Sequence, residues 1–402
     1  MDILKRQKDI VSLINNLDIT PTMHLNATQK YKRLAKYLID NGIDAEIYPQ
    51  GSFALGTVVR PITRGDDAKY DLDFVCQVYA SKDTLSSSEL REKVLGILQD
   101  SKTFDERLEI CEECFTIEYS DIGGIGFSID VVPAVPESQE TISRLVTKNF
   151  RKDLVEAAIS IPKQEDKKYS WITSNPRGYK IWFNEINSRF NDASRLEYRQ
   201  SLFENNKHLF RGVEEVPEEL ERSALQRVVQ ILKVHRDVYY SHISQGEELK
   251  PISAIINTLV AKIASTVDSQ TNVFDLLQYV LDNLLVYAEQ LTLDETSFNI
   301  RYGGRDLLIK KGDLWVISNP ANPEDNLANQ WTNVTAKIFF KWIEAAKNDL
   351  IYSLQLPDDK FRLRIENAFG KNFVSKRLGE EYLGSAKVEK IDVTTVAKPW
   401  KK

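Results

Sequence analysis

The stretch YDLDFV, residues 70–75, alternates large apolar residues with acids. Successive side chains on a strand point to opposite faces, so Tyr70, Leu72 and Phe74 are predicted to face a core while Asp71 and Asp73 share the other side. Two carboxylates held that close repel, and each raises the pKa of the other unless a cation lies between them. GFSIDVVP, residues 126–133, repeats the pattern, with Phe127, Ile129 and Val131 on one face and Ser128 and Asp130 on the other. If the two segments are neighbouring strands, Asp130 comes to lie beside Asp71 and Asp73. Uncompensated, such a trio opposes folding. With hard divalent cations it becomes a site, because magnesium takes a few carboxylates together with water and substrate phosphate oxygens.

Upstream, PQGSFALGT (residues 49–57) places Gly51 and Ser52 at the end of a predicted strand and the start of a short helix. That junction offers free backbone N–H groups and a hydroxyl to an anion, and Gly51 lets a phosphate approach the backbone. A phosphate-binding turn followed by three acids on strands suits nucleotidyl transfer. One metal held by Asp71, Asp73 and Asp130 would activate an attacking hydroxyl, and a second held by Asp71 and Asp73 would carry the triphosphate and steady the leaving pyrophosphate. The implied cofactor is a pair of Mg2+ ions, with Mn2+ as a substitute.

At 402 residues the chain is too long for one ordinary core, and two lobes are expected. Thr28–Asn41 reads as an amphipathic helix stopped at Gly42, AEIYP as a strand and Ser86–Asp100 as a helix. FTIEYS and GFSIDVVPAV read as paired strands around the turn DIGG. From about residue 200 the period becomes helical, in ALQRVVQILKVHRDVYY, VFDLLQYVLDNLLVYAEQL and WTNVTAKIFFKWIEAA. The expected fold is α+β: a nucleotidyltransferase core over 1–200 with a mixed β-sheet and an N-terminal helix, a helical lobe over 201–383, and a mobile or surface-draped tail over 384–402. The active site belongs in the cleft between the lobes.

A net charge of −6 argues against a constitutive nucleic-acid partner, which needs a basic surface to displace phosphate counterions. No run of 18 apolar residues and no signal-peptide pattern occurs, so no membrane association and a cytoplasmic location are expected. Three cysteines fit a reducing compartment. Cys111 and Cys114 lack the further ligands of a zinc site and read as ordinary thiols.

Gly51-Ser52, Asp71-Leu72-Asp73 and Asp130 together resemble the signature of the DNA polymerase beta-like nucleotidyltransferases. The second half, in LQRVVQILKVHRD, KPISAIINTL and ISNPANPEDNLANQW, is similar to the cGAS/DncV-like nucleotidyltransferases (CD-NTases), and the likeness covers roughly residues 25–375. The resemblance implies that Lys233 and Ser253 contact the triphosphate of a donor nucleotide. It also implies that Ser174 and Asn175, in WITSNPRGYKIWF, run beside the base. Arg236, within the apolar stripe, is expected to pair with a buried acid. The 18 residues between Ser52 and Asp71 suggest a loop beside the cleft, in which Asp66 and Asp67 read as a solvated turn.

The family implies condensation of nucleoside triphosphates, ATP among them, into a cyclic oligonucleotide that a separate effector protein binds, in anti-phage signalling, with a possible regulatory protein partner. Linear oligonucleotide synthesis or transfer to another acceptor shares the same constellation. A catalytically silent nucleotide-binding module would gain nothing from three mutually repelling acids.

Overall fold

A computed structural model of the chain describes residues 2–60, 62–63, 66–67, 70–119, 126–148, 151–166, 168–190 and 222–383. The expected lobe boundary near residue 200, the DIGG turn and the tail from Gly384 lie outside these residues. The described residues form a mixed α+β structure whose centre is a seven-stranded sheet. Its strands are β1 (Ala45–Gln50), β4 (Tyr70–Val78), β5 (Leu108–Ile110), β6 (Phe115–Tyr119), β7 (Phe127–Pro136), β8 (Ile159–Glu165) and β9 (Lys168–Ser174). The order is β1-β4-β7-β6-β5, with β8 on the far end of β7 and β9 on β8. Strands β4 and β7 pair in parallel, while β1–β4, β6–β7 and β8–β9 are antiparallel. The expected loop after Ser52 contains a short hairpin of β2 (Ile62–Thr63) and β3 (Asp66–Asp67), where a turn was read from the sequence.

The period-2 reading of YDLDFV holds. Tyr70, Leu72, Phe74 and Cys76 are buried in one core with Ile129 and Val131 from β7, while Asp71 is exposed and Asp73 half-buried. Helix α2 (Pro21–Asp40) covers that core with Tyr31, Leu34 and Leu38, and the Tyr31 ring meets Phe74 edge-on at 5.3 Å. The helix begins seven residues before its clear apolar stripe, because Thr20 caps it and Pro21 occupies its first turn. Gly42 follows it with φ of +95°. Helix α3 (Gly51–Leu55) follows β1, and α4 (Ser87–Gln99) opens with a capping box between Ser86 and Glu89.

Beyond α5 (Pro176–Asn187) the described chain is mainly helical: α6 (Ala224–Ser241), α7 (Ser253–Ala264), α8 (Val273–Val286), α9 (Asn333–Leu350), α10 (Asp358–Phe369) and α11 (Lys371–Leu378). Helix α6 is the axis of this lobe, buried on nearly every side. Three of its polar side chains reach the chain just after α3. Gln226 Nε2 donates to Leu55 O (3.0 Å), Gln230 Nε2 to Val58 O (2.6 Å) and Lys233 Nζ to Thr57 O (3.3 Å). Successive turns of one helix therefore hold the segment that leads out of the Gly51–Ser52 turn. Among the described residues no helix is long and apolar enough to cross a membrane.

Helix α1 (Ile3–Asn15), grouped by sequence with the first half of the chain, buries Ile10, Leu13 and Ile14 in the helical core. Arg6 fastens it there. Its guanidinium is buried, donates to Leu354 O (3.0 Å) and Leu356 O (2.6 Å), pairs with Asp358, and lies 4.4 Å from the Phe361 ring centroid. Arg6→Ala is expected to lower unfolding free energy by about 2–3 kcal/mol in urea denaturation, because buried carbonyls lose a charged donor. Leu4→Ala, at a side chain 69% exposed, is expected to stay within about 0.5 kcal/mol of the parent.

Candidate active site

Sheet register brings the acids together. Across the sheet, Gln50 of β1 lies opposite Asp73, Asp73 opposite Asp130, and Asp130 opposite Thr116 of β6. One step along the same face, Asp71 lies opposite Ser128. The neighbouring hydroxyls orient two of the carboxylates: Thr116 Oγ1 donates to Asp130 Oδ1 at 2.7 Å and Ser128 Oγ to Asp71 Oδ1 at 2.5 Å. Burial first, then the Asp130 and Asp71 charges, push the Asp73 carboxyl up to about 8. Burial also raises Asp130, against the lowering pull of the Thr116 hydroxyl.

Gly51 makes the close approach possible. It has φ of +63°, and a Cβ there would lie 2.1 Å from Asp73 Oδ2. The start of α3 is thus pressed against the central carboxylate, with Ser52 next in the chain.

A cavity of about 450 Å³ opens over this face. The sheet half contributes Gly51, Ser52, Asp71, Asp73, Ser174 and Asn175 to its wall. The helical half contributes Lys233, Arg236 and Ser253. Asp130 is reached through Asp73 rather than from the cavity wall itself.

Lys233 is buried at the cavity wall, and it touches Thr57 O and Thr57 Oγ1 (3.2 Å). Burial, and then the neighbouring Arg236, bring its ammonium down to about 7. Ser253 opens α7 and accepts a hydrogen bond from Arg236 Nη1 at 3.1 Å. Arg236 also donates to Pro251 O at 3.0 Å. The acid it pairs with is its own neighbour Asp237, not one from another element.

Asn175 departs from the sequence reading. Its Nδ2 donates to Leu154 O and Ala321 O, both at 2.7 Å, and its Oδ1 caps α5 by accepting from Gly178 N at 2.9 Å. With these bonds made, the amide serves the fold and is not free to read a base edge. Ser174, the last residue of β9, remains on the cavity wall. The contact to Ala321 also gives the ISNPANPEDNLANQW segment a role: it buttresses the start of α5.

Thr116, Gln50 and Gln230 were not singled out from the sequence. Thr116 had a signal, since alternation in FTIEYS puts it on the face opposite Phe115 and Ile117. Cys111 and Cys114 are free thiols, with Sγ atoms 3.6 and 3.9 Å from Thr116 Oγ1.

The donor set is all oxygen and suits a hard cation. Among the described residues no three His, Cys, Asp or Glu side chains already form a cation cage, because Asp71 and Asp130 are turned to their hydroxyl partners. The residues nonetheless fit divalent ions: burial first and then the Asp130 and Asp71 charges raise Asp73, a cation would offset both, and Gly51 keeps the approach clear.

The fold of the described residues and this constellation resemble those of the DNA polymerase beta-like nucleotidyltransferases. Residues 45–133, which span β1 to β7 and all three aspartates, match the family described as cyclic GMP-AMP synthase DncV-like, nucleotidyltransferase domain. A c-di-GMP synthase of Roseivirga ehrenbergii is 24% identical over 322 residues, 79% of this chain and 70% of that protein. Among solved structures, the Bradyrhizobium diazoefficiens CD-NTase CdnG, determined in complex with GTP, superposes with a TM-score of 0.65 at 17% identity, over 93% of this chain and 98% of that one. The CdnC subunit of the CdnC:HORMA-deltaN complex from E. coli MS115-1 gives a TM-score of 0.56 at 15% identity, over 91% and 98%. The chain is thus similar to the DncV-like nucleotidyltransferases over residues 45–133, and shares the CD-NTase fold over most of its length.

Gly51→Ala and Gly42→Ala both place a Cβ at positive φ, a strain of about 1–2 kcal/mol. At Gly42 the Cβ meets nothing within 4 Å, whereas at Gly51 it overlaps Asp73. Thermal unfolding is therefore expected to show the larger loss for Gly51→Ala.

Proposed function

We propose that this enzyme condenses nucleoside triphosphates into a cyclic oligonucleotide and releases pyrophosphate. The observation that carries the reading is the pair Asp71 and Asp73 on the wall of a cavity whose other side holds Lys233 and Ser253, with Asp130 beside Asp73 in the sheet. The relative named c-di-GMP synthase supports a cyclic product, and the CdnG structure with GTP supports a triphosphate substrate.

The Ser52 hydroxyl and the first N–H groups of α3 hold the donor triphosphate from the sheet side, while Lys233 and Ser253 hold it from the helical side. Ser174 lies on the cavity wall with them. Asp130, steadied by Thr116, faces the acceptor hydroxyl. Asp71, Asp73 and Asp130 would hold one Mg2+, and Asp71 and Asp73 a second, with Mn2+ a substitute; when bound, these ions acidify the acceptor hydroxyl and neutralise the leaving pyrophosphate. The product acts as a cytoplasmic signal read by a separate effector in anti-phage defence. A regulatory protein of the kind paired with CdnC is a further partner class.

Incubation with Mg2+ and labelled triphosphates is expected to yield a phosphatase-resistant oligonucleotide, and Asp73→Ala to cut pyrophosphate release by about 10³-fold or more. A phosphatase-sensitive product would instead make the enzyme a linear synthase. Undiminished pyrophosphate release from Asp73→Ala would sink the assignment of these acids.

The raised Asp73 carboxyl gives a pH signature. Below 3.8 it is protonated both folded and unfolded; between 3.8 and about 8 only the folded state keeps the proton, so metal-free stability falls as pH rises through that window. Added Mg2+ is expected to raise the melting temperature more at pH 8 than at pH 5, and Asp73→Asn to abolish the difference.

Lys233 gives a second signature. A bound triphosphate draws its pKa up from about 7, so binding takes up a proton above pH 7. KM is expected to rise between pH 7 and 9, and that slope to vanish in Lys233→Met.

A further inference from the structure

The wall of the cavity carries a buried polar side chain whose capacity is unmet among the described residues. Asn257 lines the cavity and is only 4% exposed, and its Oδ1 is buried with no hydrogen-bond partner among the described residues. Buried amide oxygens are nearly always satisfied, so this acceptor calls for a donor from outside the chain. Two neighbouring asparagines of this wall are already used. Asn175 is bonded as described above, and Asn319 donates to Asp325 Oδ2 (2.8 Å) and accepts from Ala321 N (3.0 Å).

Position tells what Asn257 meets. It lies four residues after Ser253 on α7, so the two share a face of the helix and stand about 6 Å apart along its axis. Ser253 sits with Arg236 and Lys233 at the cationic end of the cavity. One turn further on, the wall is uncharged. There Tyr179 of α5 lines the cavity, its hydroxyl bonded to Thr258 Oγ1 at 2.8 Å. A cationic end followed by an aromatic ring and an amide matches a triphosphate followed by its nucleoside.

Resting on the nucleotidyl-transfer reading, we propose that Asn257 is a specificity-determining residue: its side-chain oxygen accepts a hydrogen bond from the exocyclic amine of the donor base. An amine-bearing base satisfies the buried acceptor, and a base without the amine leaves it unpaired. The residue does no chemistry. It sets which triphosphate the cavity holds.

Calorimetric binding of non-hydrolysable triphosphates tests this, using adenine, guanine and cytosine nucleotides beside analogues lacking the exocyclic amine. The wild-type protein is expected to prefer at least one amine-bearing nucleotide over its analogue by about tenfold. Asn257→Ala is expected to bind that pair alike, while Asn257→Asp, which keeps the acceptor, retains the preference. Melting curves of both variants confirm that the fold is kept. Equal weakening of every nucleotide by Asn257→Ala would mark a structural role and overturn the proposal. So would an effect that disappears with a 2′-deoxy nucleotide rather than with the deaminated base, because the contact would then be to ribose. A base preference unchanged in Asn257→Ala refutes this assignment alone, whereas a wild-type protein that binds no triphosphate refutes the nucleotidyl-transfer reading with it.

Discussion

The parallel pairing of β4 with β7 is the constraint on which the site rests. Because the register sets Asp73 against Asp130, shifting β7 by one residue would turn Asp130 into the apolar core and bring Ile129 or Val131 onto the acid face. Burial of Leu72, Phe74, Ile129 and Val131 beneath α2 forbids that slip. Hydrophobic packing on one side of the sheet therefore enforces like-charge crowding on the other. Burial and then that crowding raise the Asp73 carboxyl, while the Thr116 and Ser128 hydroxyls orient its two neighbours.

The second lobe is attached by polar contacts as much as by apolar ones. Gln226, Gln230 and Lys233 of α6 bind carbonyls between Leu55 and Val58, and Arg227 of the same helix pairs with Asp18 at 3.1 Å. These donors sit in a helix whose remaining surface is almost wholly buried. The two glutamines and the lysine answer carbonyls at the end of α3 and in the segment just after it. The cavity thus has one wall of sheet and one of helix, held at a fixed separation by side chains of intermediate length.

What could be read from the sequence follows from how local each signal is. Strand alternation is a two-residue pattern, so Asp71, Asp73 and Asp130 could be found without any knowledge of the fold, and the glycine and serine before them mark a turn by their chemistry. Helical periodicity is equally local, and it found Tyr31, Leu34 and Leu38 while missing the weaker first turns of α2. It says that a helix has a buried face, not what covers it, so the docking of α1 on the helical lobe was not legible. Gln226, Gln230 and Asn257 look like interruptions of apolar stripes until their partners, or the lack of one, are known. Asn175 was placed beside the base by resemblance alone, and no local pattern could show that its amide is taken up by Leu154, Ala321 and Gly178.

Lys233 belongs to two structures at once. Its ammonium is a rung of the ladder joining α6 to Thr57, and it also faces the space where a polyanion would rest. An incoming negative charge competes with Thr57 for the same three N–H bonds. A charge that filled the cavity would therefore draw on the same ammonium that ties α6 to Thr57.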